Sequence, residues 1–160
     1  ATCNIGATNP SDVGDYFAWG EIFPKKEYLE FNYEYKSDNT ILDSKQDAAT
    51  VNWGEKWDIP SKEDFDELLE LCTWIPDKTG YKILGTNGNS IYLPCGGYKV
   101  DYYAMFSSKI GTYWSNSLIK KNENSAWTLY FSNTNQEIKP QISKFYRYYG
   151  RNIRPMSHNK

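Results

Sequence analysis

The sequence predicts an α+β domain, on three observations. Helical patterning is confined to the first half of the chain. Strand-like runs separated by turn residues fill the second. One Asn-Gly pair, Asn87-Gly88, sits between two such runs in the manner of a hairpin. Helices first and strands after argue for two helices beside a small, mostly antiparallel sheet with long loops. The 160 residues fit a single domain, taken as 1–160.

Residues 1–7 read as a short strand, closed by the turn residues Asn9-Pro10-Ser11-Asp12. Tyr16–Gly20 is aromatic without a helical period, and 22–42 is a long irregular excursion. Asp43 or Ser44 is expected to cap a helix from about Lys45 to Asn52, with Ala48, Ala49 and Val51 inward. The clearest helix begins at Ser61, whose hydroxyl can cap while Asp64, three residues on, reaches back. Phe65, Leu68, Leu69 and Cys72 then follow i, i+3, i+4, i+7 and mark one buried face. Glu63, Asp64, Asp66 and Glu67 suit the positive end of the helix dipole and are read as helix-start charges, not catalytic carboxylates. Pro76 and Gly80 are expected to end the element.

Tyr81–Leu84 and Ser90–Leu93 flank Thr86–Asn89 as a hairpin, and Gly96-Gly97-Tyr98 breaks the chain. Thr112–Ser115, Ala126–Phe131 and Glu137–Ile142 are further strands, the last two joined by the polar turn Asn133–Gln136. A final strand, Arg151–Pro155, stops at its proline.

Composition constrains function. Val, Ile and Leu number 24 against 27 Phe, Trp and Tyr, so rings must replace aliphatic side chains in the core. A net charge of -2 argues against a nucleic-acid partner. No apolar run reaches the roughly 20 residues of a membrane helix, so no membrane insertion is expected. The single histidine, His158, lies at the C-terminus, a poor place for the imidazole of a Ser-His or Cys-His nucleophilic site. Cys3, Cys72 and Cys95 lack the clustered spacing of a zinc site. Cys72 reads as a core thiol, and a Cys3–Cys72 bridge is left open.

In order along the chain, Ala-Thr-Cys-Asn-Ile-Gly-Ala (1–7), Gly-Asp-Tyr-Phe-Ala-Trp-Gly-Glu (14–21) and Asn-Trp-Gly-Glu-Lys-Trp-Asp-Ile-Pro-Ser (52–61) are followed by Glu-Leu-Leu-Glu-Leu-Cys-Thr-Trp (67–74) and Gly-Asn-Ser-Ile-Tyr-Leu-Pro (88–94). Tyr-Trp-Ser-Asn-Ser (113–117), Ala-Trp-Thr-Leu-Tyr-Phe (126–131) and Tyr-Tyr-Gly-Arg-Asn-Ile-Arg-Pro (148–155) complete the series. Together they resemble the FISUMP-type major paralogous domain of surface and secreted proteins of gut and rumen bacteria. The resemblance implies a variant of the C-type lectin-like fold, shared distantly with formylglycine-generating enzymes and with the variable proteins of diversity-generating retroelements. It also implies paired chain ends, a loop-rich binding half and an exported, extracellular or cell-surface location. Because the family carries further apolar residues before this point, the first strand is expected to be truncated at Ala1.

The function expected is non-catalytic recognition of a glycan or protein ligand. Sugars stack C–H faces on aromatic rings and bridge to amides. Tyr102, Tyr103, Tyr113, Tyr146, Tyr148 and Tyr149, with Asn116, Asn133, Asn135 and Gln136, supply both in the strand-rich half. Trp53, Trp57, Trp74, Trp114 and Trp127 are expected in the core and as loop anchors, with Trp19 intermediate. The calcium cage that the fold is known for needs dense carboxylate and carbonyl oxygens, and its usual signatures are missing, so no metal and no cofactor are expected. Arg151 and Arg154 are expected to bridge to a loop acid, with an anion clamp as the alternative. A structural spacer or cap within a larger surface protein is the second reading. An enzyme is the third, to be sought at Glu21, Glu55 or Cys95.

Overall fold

The computed structural model describes residues 1–35, 39–120, 124–135 and 138–157. His158, Gln136 and Glu137 therefore lie outside the described residues.

Local capping starts both α-helices. Asp47 begins α1 (Ala48–Trp53), accepting from the amides of Ala49 and Thr50 at 2.8 and 2.9 Å. Its second oxygen takes the Ile59 amide at 2.8 Å, which ties the helix start to the next segment. The cap lies beyond the expected Asp43 or Ser44 because Asp43 instead closes the preceding turn through the Lys45 amide. The helix is six residues long, so only Ala48 and Ala49 face inward, and Val51 is exposed. After the short strand β1 (Trp57–Asp58), Ser61 and Asp64 form the reciprocal cap of α2 (Lys62–Leu71). Phe65 is buried, and Leu68, Leu69 and Cys72 pack against the same core.

Pro76 and Gly80 do not end that helix. Cys72 turns to extended backbone, and Pro76 sits in an edge strand, where its missing N–H costs no ladder bond. That strand, β2 (Thr73–Asp77), pairs with β3 (Gly80–Leu84), which pairs with β4 (Ser90–Pro94) across the expected hairpin. A second small hairpin joins β5 (Tyr98–Val100) to β6 (Tyr103–Met105). The third meander runs β7 (Ile110–Leu118), β8 (Ser125–Ser132), β9 (Gln141–Tyr146), all antiparallel. The last of these starts later than expected because Pro140 cannot donate to the ladder. The chain is α+β, with two helices and small antiparallel sheets.

The chain ends meet, but not as regular strands. The Ile5 amide donates to Ile153 O at 3.1 Å, and Gly6 at φ 79° then turns the segment away, so residues 1–7 form no ladder. Arg151 and Asn152 make single bridges to Phe17 and Tyr113, and the chain pairs again only past Pro155, in β10 (Met156–Ser157) against β1.

Strand β7 separates two cores. Trp114 joins Phe17, Trp19, Ala48, Ile59 and Ile153 on one side. Its neighbour Tyr113 joins Phe65, Ile83, Leu93, Leu129 and Phe131 on the other. Successive strand residues point to opposite faces, and here both faces are covered. Burying each such ring contributes about 1.5–3 kcal/mol, which offsets the scarcity of aliphatics. The indole N–H groups stay satisfied: Trp114 donates to Phe17 O at 2.7 Å and Trp19 to Ser115 O at 2.8 Å. Trp53, Trp57 and Trp74 pack half-buried against these cores, and Trp127 lies under Lys62. The three cysteines are free, so Cys3 and Cys72 are not bridged. Among the described residues no helix is long and apolar enough to cross a membrane.

Candidate ligand-binding surface

The hairpin of β5 and β6 and the segment after β9 bring one group of rings together. Gly97, at φ 68°, sits where a side chain would run into Met105 O and the Phe106 backbone, so the arch closes only on glycine. Asp101 at 54°, Phe106 at 55° and Ser108 at 65° are the non-glycine residues of positive φ among those described. All three fall in this arch, which concentrates backbone strain there.

Around the arch the rings form an unbroken series. Tyr98 lies near parallel to Tyr149, with centroids 5.6 Å apart, and touches Phe106 at 6.0 Å. Tyr149 meets Tyr148 edge-on at 5.0 Å, and Tyr148 stacks on Tyr146 at 5.4 Å. Phe106 and Tyr146 are each 51% exposed, while Tyr102 and Tyr103, at the hairpin tip, are 61% and 67% exposed. A hydrogen bond to Glu27 raises the Tyr102 hydroxyl above its ordinary range. Exposed rings in one group are uncommon on a soluble domain and mark an interaction surface.

Arg151 lies behind this surface, fully buried. Its guanidinium carbon is 4.1 Å from the Phe145 ring centre, 4.9 Å from Trp114, 5.2 Å from Tyr98 and 5.9 Å from Tyr149. Nε and Nη2 have no hydrogen-bond partner among the described residues. Burial pulls its pKa down to about 9. Neither Arg151 nor Arg154 meets the loop acid expected of it, since the ion pairs among the described residues are Lys25–Glu21 and Lys62–Asp66. Arg154 instead donates to Asn4 Oδ1, Thr2 O and Tyr92 O at 2.8, 3.1 and 2.9 Å.

Of the candidate residues, Tyr102 and Tyr103 lie exposed at the hairpin tip, while Tyr146, exposed, and Tyr148 and Tyr149, half-buried, lie in the ring series. Tyr113 does not. It is fully buried, donating to Pro94 O at 2.8 Å and accepting from Asn4 Nδ2 at 3.2 Å, because both faces of β7 are core. The three asparagines make contacts elsewhere. Asn116 donates its backbone amide to Pro60 O and accepts at Oδ1 from Ser117 Oγ, Asn133 donates its side-chain Nδ2 to Lys78 O, and the backbone amide of Asn135 donates to Ser132 Oγ. Tyr98 and Phe106 join the series without having been singled out from the sequence. The Gly96-Gly97 break just before Tyr98 was the available signal.

Of the three candidate reactive groups, Glu21 is occupied and Cys95 is quenched. Glu21 accepts from Lys25 Nζ at 2.8 Å and from the Glu34 amide at 2.9 Å. Glu55 stands exposed just past α1. Burial pushes the Cys95 thiol up to about 12, the reverse of what a nucleophile needs. Among the described residues no group of three or more His, Cys, Asp or Glu is placed to hold a metal ion.

Comparison with known proteins yields no matching family model, no matching curated protein and no matching solved structure.

Proposed function

We propose that this chain is a non-catalytic recognition domain that binds glycan on the surface formed by Tyr98, Phe106, Tyr146, Tyr148 and Tyr149 with Tyr102 and Tyr103. The continuous ring series carries this reading: it is amphipathic, exposed at Phe106 and Tyr146 with Tyr98, Tyr148 and Tyr149 half-buried between them, and backed by a buried cation. Phenol rings offer C–H stacking faces with wet hydroxyls at their edges, at low entropic cost because each has only two side-chain torsions. The finer assignments belong to the same proposal. They are a C-type lectin-like arrangement, kinship with the FISUMP-type domains, and a place on the outside of a bacterial cell. The meeting chain ends, the two helices beside small antiparallel sheets and the ring-bearing arch support them.

The test is retention on immobilised polysaccharides and a glycan array, with Tyr103→Ala and Tyr149→Ala beside the parent chain. Binding reduced at least about tenfold in each, with unfolding unchanged in Tyr103→Ala, is the expected outcome, one stacked ring contributing about 1.4 kcal/mol. Undiminished binding in both variants sinks the proposal. An inert array moves the reading to a protein ligand or to a structural spacer.

A further inference from the structure

The tip of the β3–β4 hairpin carries the one Asn-Gly pair of the sequence, Asn87-Gly88, and both residues are exposed. We propose that Asn87 is a site of spontaneous covalent modification in the folded chain. Its side-chain amide closes onto the Gly88 nitrogen as a cyclic imide, and water opens that ring to a mixture of aspartate and iso-aspartate. Water is the co-reactant, and no oxidant or reductant enters the balance. The site shares no residue with the ring surface and stands independently of its glycan reading.

The Gly88 N–H gives its proton to solvent base, and the freed nitrogen bonds to Asn87 Cγ. The Cγ–Nδ2 bond then breaks, and Nδ2 takes a proton and leaves as ammonia. One water opens the imide. Cleavage between Cγ and the Gly88 nitrogen restores the original main chain with an aspartate. Cleavage between the Asn87 main-chain carbonyl and that nitrogen routes the backbone through Cβ and Cγ instead. Either product turns a neutral amide into a carboxylate.

Three observations favour Asn87 over the other asparagines. First, the nitrogen of the next residue must reach Cγ, and a side chain on that residue stands in the way. Gly88 has none, holds φ 81°, and no described atom lies within 4 Å of where a Cβ would stand. Second, Asn87 Oδ1 accepts the Asn89 amide at 2.9 Å. That N–H polarises Cγ and meets the oxygen on which negative charge grows during attack, as an oxyanion donor does. Third, the contact opposing the step is slight. The Gly88 amide must leave Gly85 O, a 3.1 Å bond at the exposed tip. Releasing one such bond slows the reaction by up to about tenfold. The residues that follow asparagine in the Asn-Ser pairs are held more firmly. Ser117 is buried with its amide on Ser115 Oγ, and Ser90 and Ser125 stand in strand ladders.

The two products differ in their effect. Aspartate keeps the turn. The iso-aspartyl link adds a backbone atom inside the loop that the Gly85 amide closes on Asn89 O at 2.8 Å, and so disturbs that bond. With time the hairpin tip divides into a closed form and a frayed one.

The experiment is incubation of the intact chain at pH 6 and at pH 8, followed by peptide mass mapping and by methyl transfer from an iso-aspartyl methyltransferase. A parallel sample unfolded in urea gives the rate without the turn. Asn87 is expected to change from amide to acid before any other asparagine, to give both products, and to react faster at pH 8. The rate in the folded chain should lie within about tenfold of the rate in urea. Asn87→Gln, whose imide would need a larger ring, should stay unmodified over the same period. In the iso-aspartyl form the Gly85 amide should exchange about tenfold faster, as for one lost exposed bond. The proposal is overturned if folding slows the reaction by more than that, or if another asparagine reacts first. Formation of aspartate alone would overturn it as well, because direct hydrolysis of the side chain passes through no imide.

Discussion

Two buried arginines three residues apart live in opposite surroundings. Arg154 lies where the chain ends meet, and its N–H groups reach Asn4 Oδ1, Thr2 O and Tyr92 O. Arg151 lies behind the ring surface, among four aromatic faces, with its best hydrogen bond a long 3.4 Å contact to Thr112 Oγ1. The first is a hydrogen-bonded clasp between segments 150 residues apart. The second is a cation solvated by π clouds. Ring faces return about 0.5–2 kcal/mol each, against a desolvation cost of several kcal/mol for the ion. The difference separates burial met by hydrogen bonds from burial met by ring faces. The clasp closes the chain, whereas the ring-held cation sets the position of Tyr98 and Tyr149.

The largest effect expected follows from the clasp. Arg154→Met removes four charge-assisted hydrogen bonds, the longest to Ala1 O, and strands Asn4 Oδ1 on a fully buried residue. A loss of about 3–4 kcal/mol is expected, read as a fall in the urea midpoint, with faster exchange at the Ile5 amide. Arg151→Met should differ in kind. Trading a buried ion for an apolar side chain of similar length is often neutral or stabilising, so stability should stay within about 1 kcal/mol of the parent. Near-ultraviolet dichroism from the rings and glycan retention should both decline. Equal loss of stability in the two variants would break the comparison.

Neither environment was legible in the sequence, and the reason is sequence separation. Arg154 meets Asn4 across almost the whole chain, and Arg151 is boxed by rings from three separate segments. Both were expected to find an acid, because sequence shows only that a charge needs compensation. Local devices read well. The Ser61–Asp64 cap, the inward face from Phe65 to Cys72 and the hairpin around Gly88 each depend on neighbours within a few positions. The cluster of Tyr146, Tyr148 and Tyr149 was visible for the same reason, while Tyr98 and Phe106 arrive from some forty residues away. Tyr113 was misread because alternation along a strand names two faces without saying that both are covered.

A third effect is smaller and lies in the alkaline range. Burial lifts the Tyr28 hydroxyl to about 12, and Tyr33 and Tyr113 are raised by the same cause. Tyr28 and Tyr33 donate to the carbonyls of Tyr16 and Trp19, a role open only to the protonated phenol. In the folded chain these groups keep protons that the unfolded chain releases near pH 10. Their contribution is therefore fully present below about pH 10 and is lost as pH rises towards 12. For Tyr28 alone, up to about 2 kcal/mol should disappear between those limits, with a late phase in the phenolate absorbance. Unfolding stability unchanged between pH 9 and 11.5 would contradict this. Cys95 offers a companion check within the interior. Its thiol, lifted to about 12, should resist alkylation at pH 8 while half-buried Cys3 and Cys72 react.

The smallest effect concerns the arch that carries the rings. Ser108 holds φ at 65°, and its amide donates to Cys95 O at 2.8 Å. A left-handed backbone costs a non-glycine residue about 1–2 kcal/mol, and glycine gives back about 0.5–1 kcal/mol of that through unfolded-state entropy. Ser108→Gly should therefore stabilise the fold by about 0.5–1 kcal/mol, since the amide and its bond remain. The Arg154 clasp holds no comparable strain, so relief there has nothing to release. If strain in the arch serves the ring surface, the same variant should bind glycan more weakly while melting later. Gains in both stability and affinity would mean that the arch is strained by packing alone, and that Arg151 by itself fixes where the rings stand.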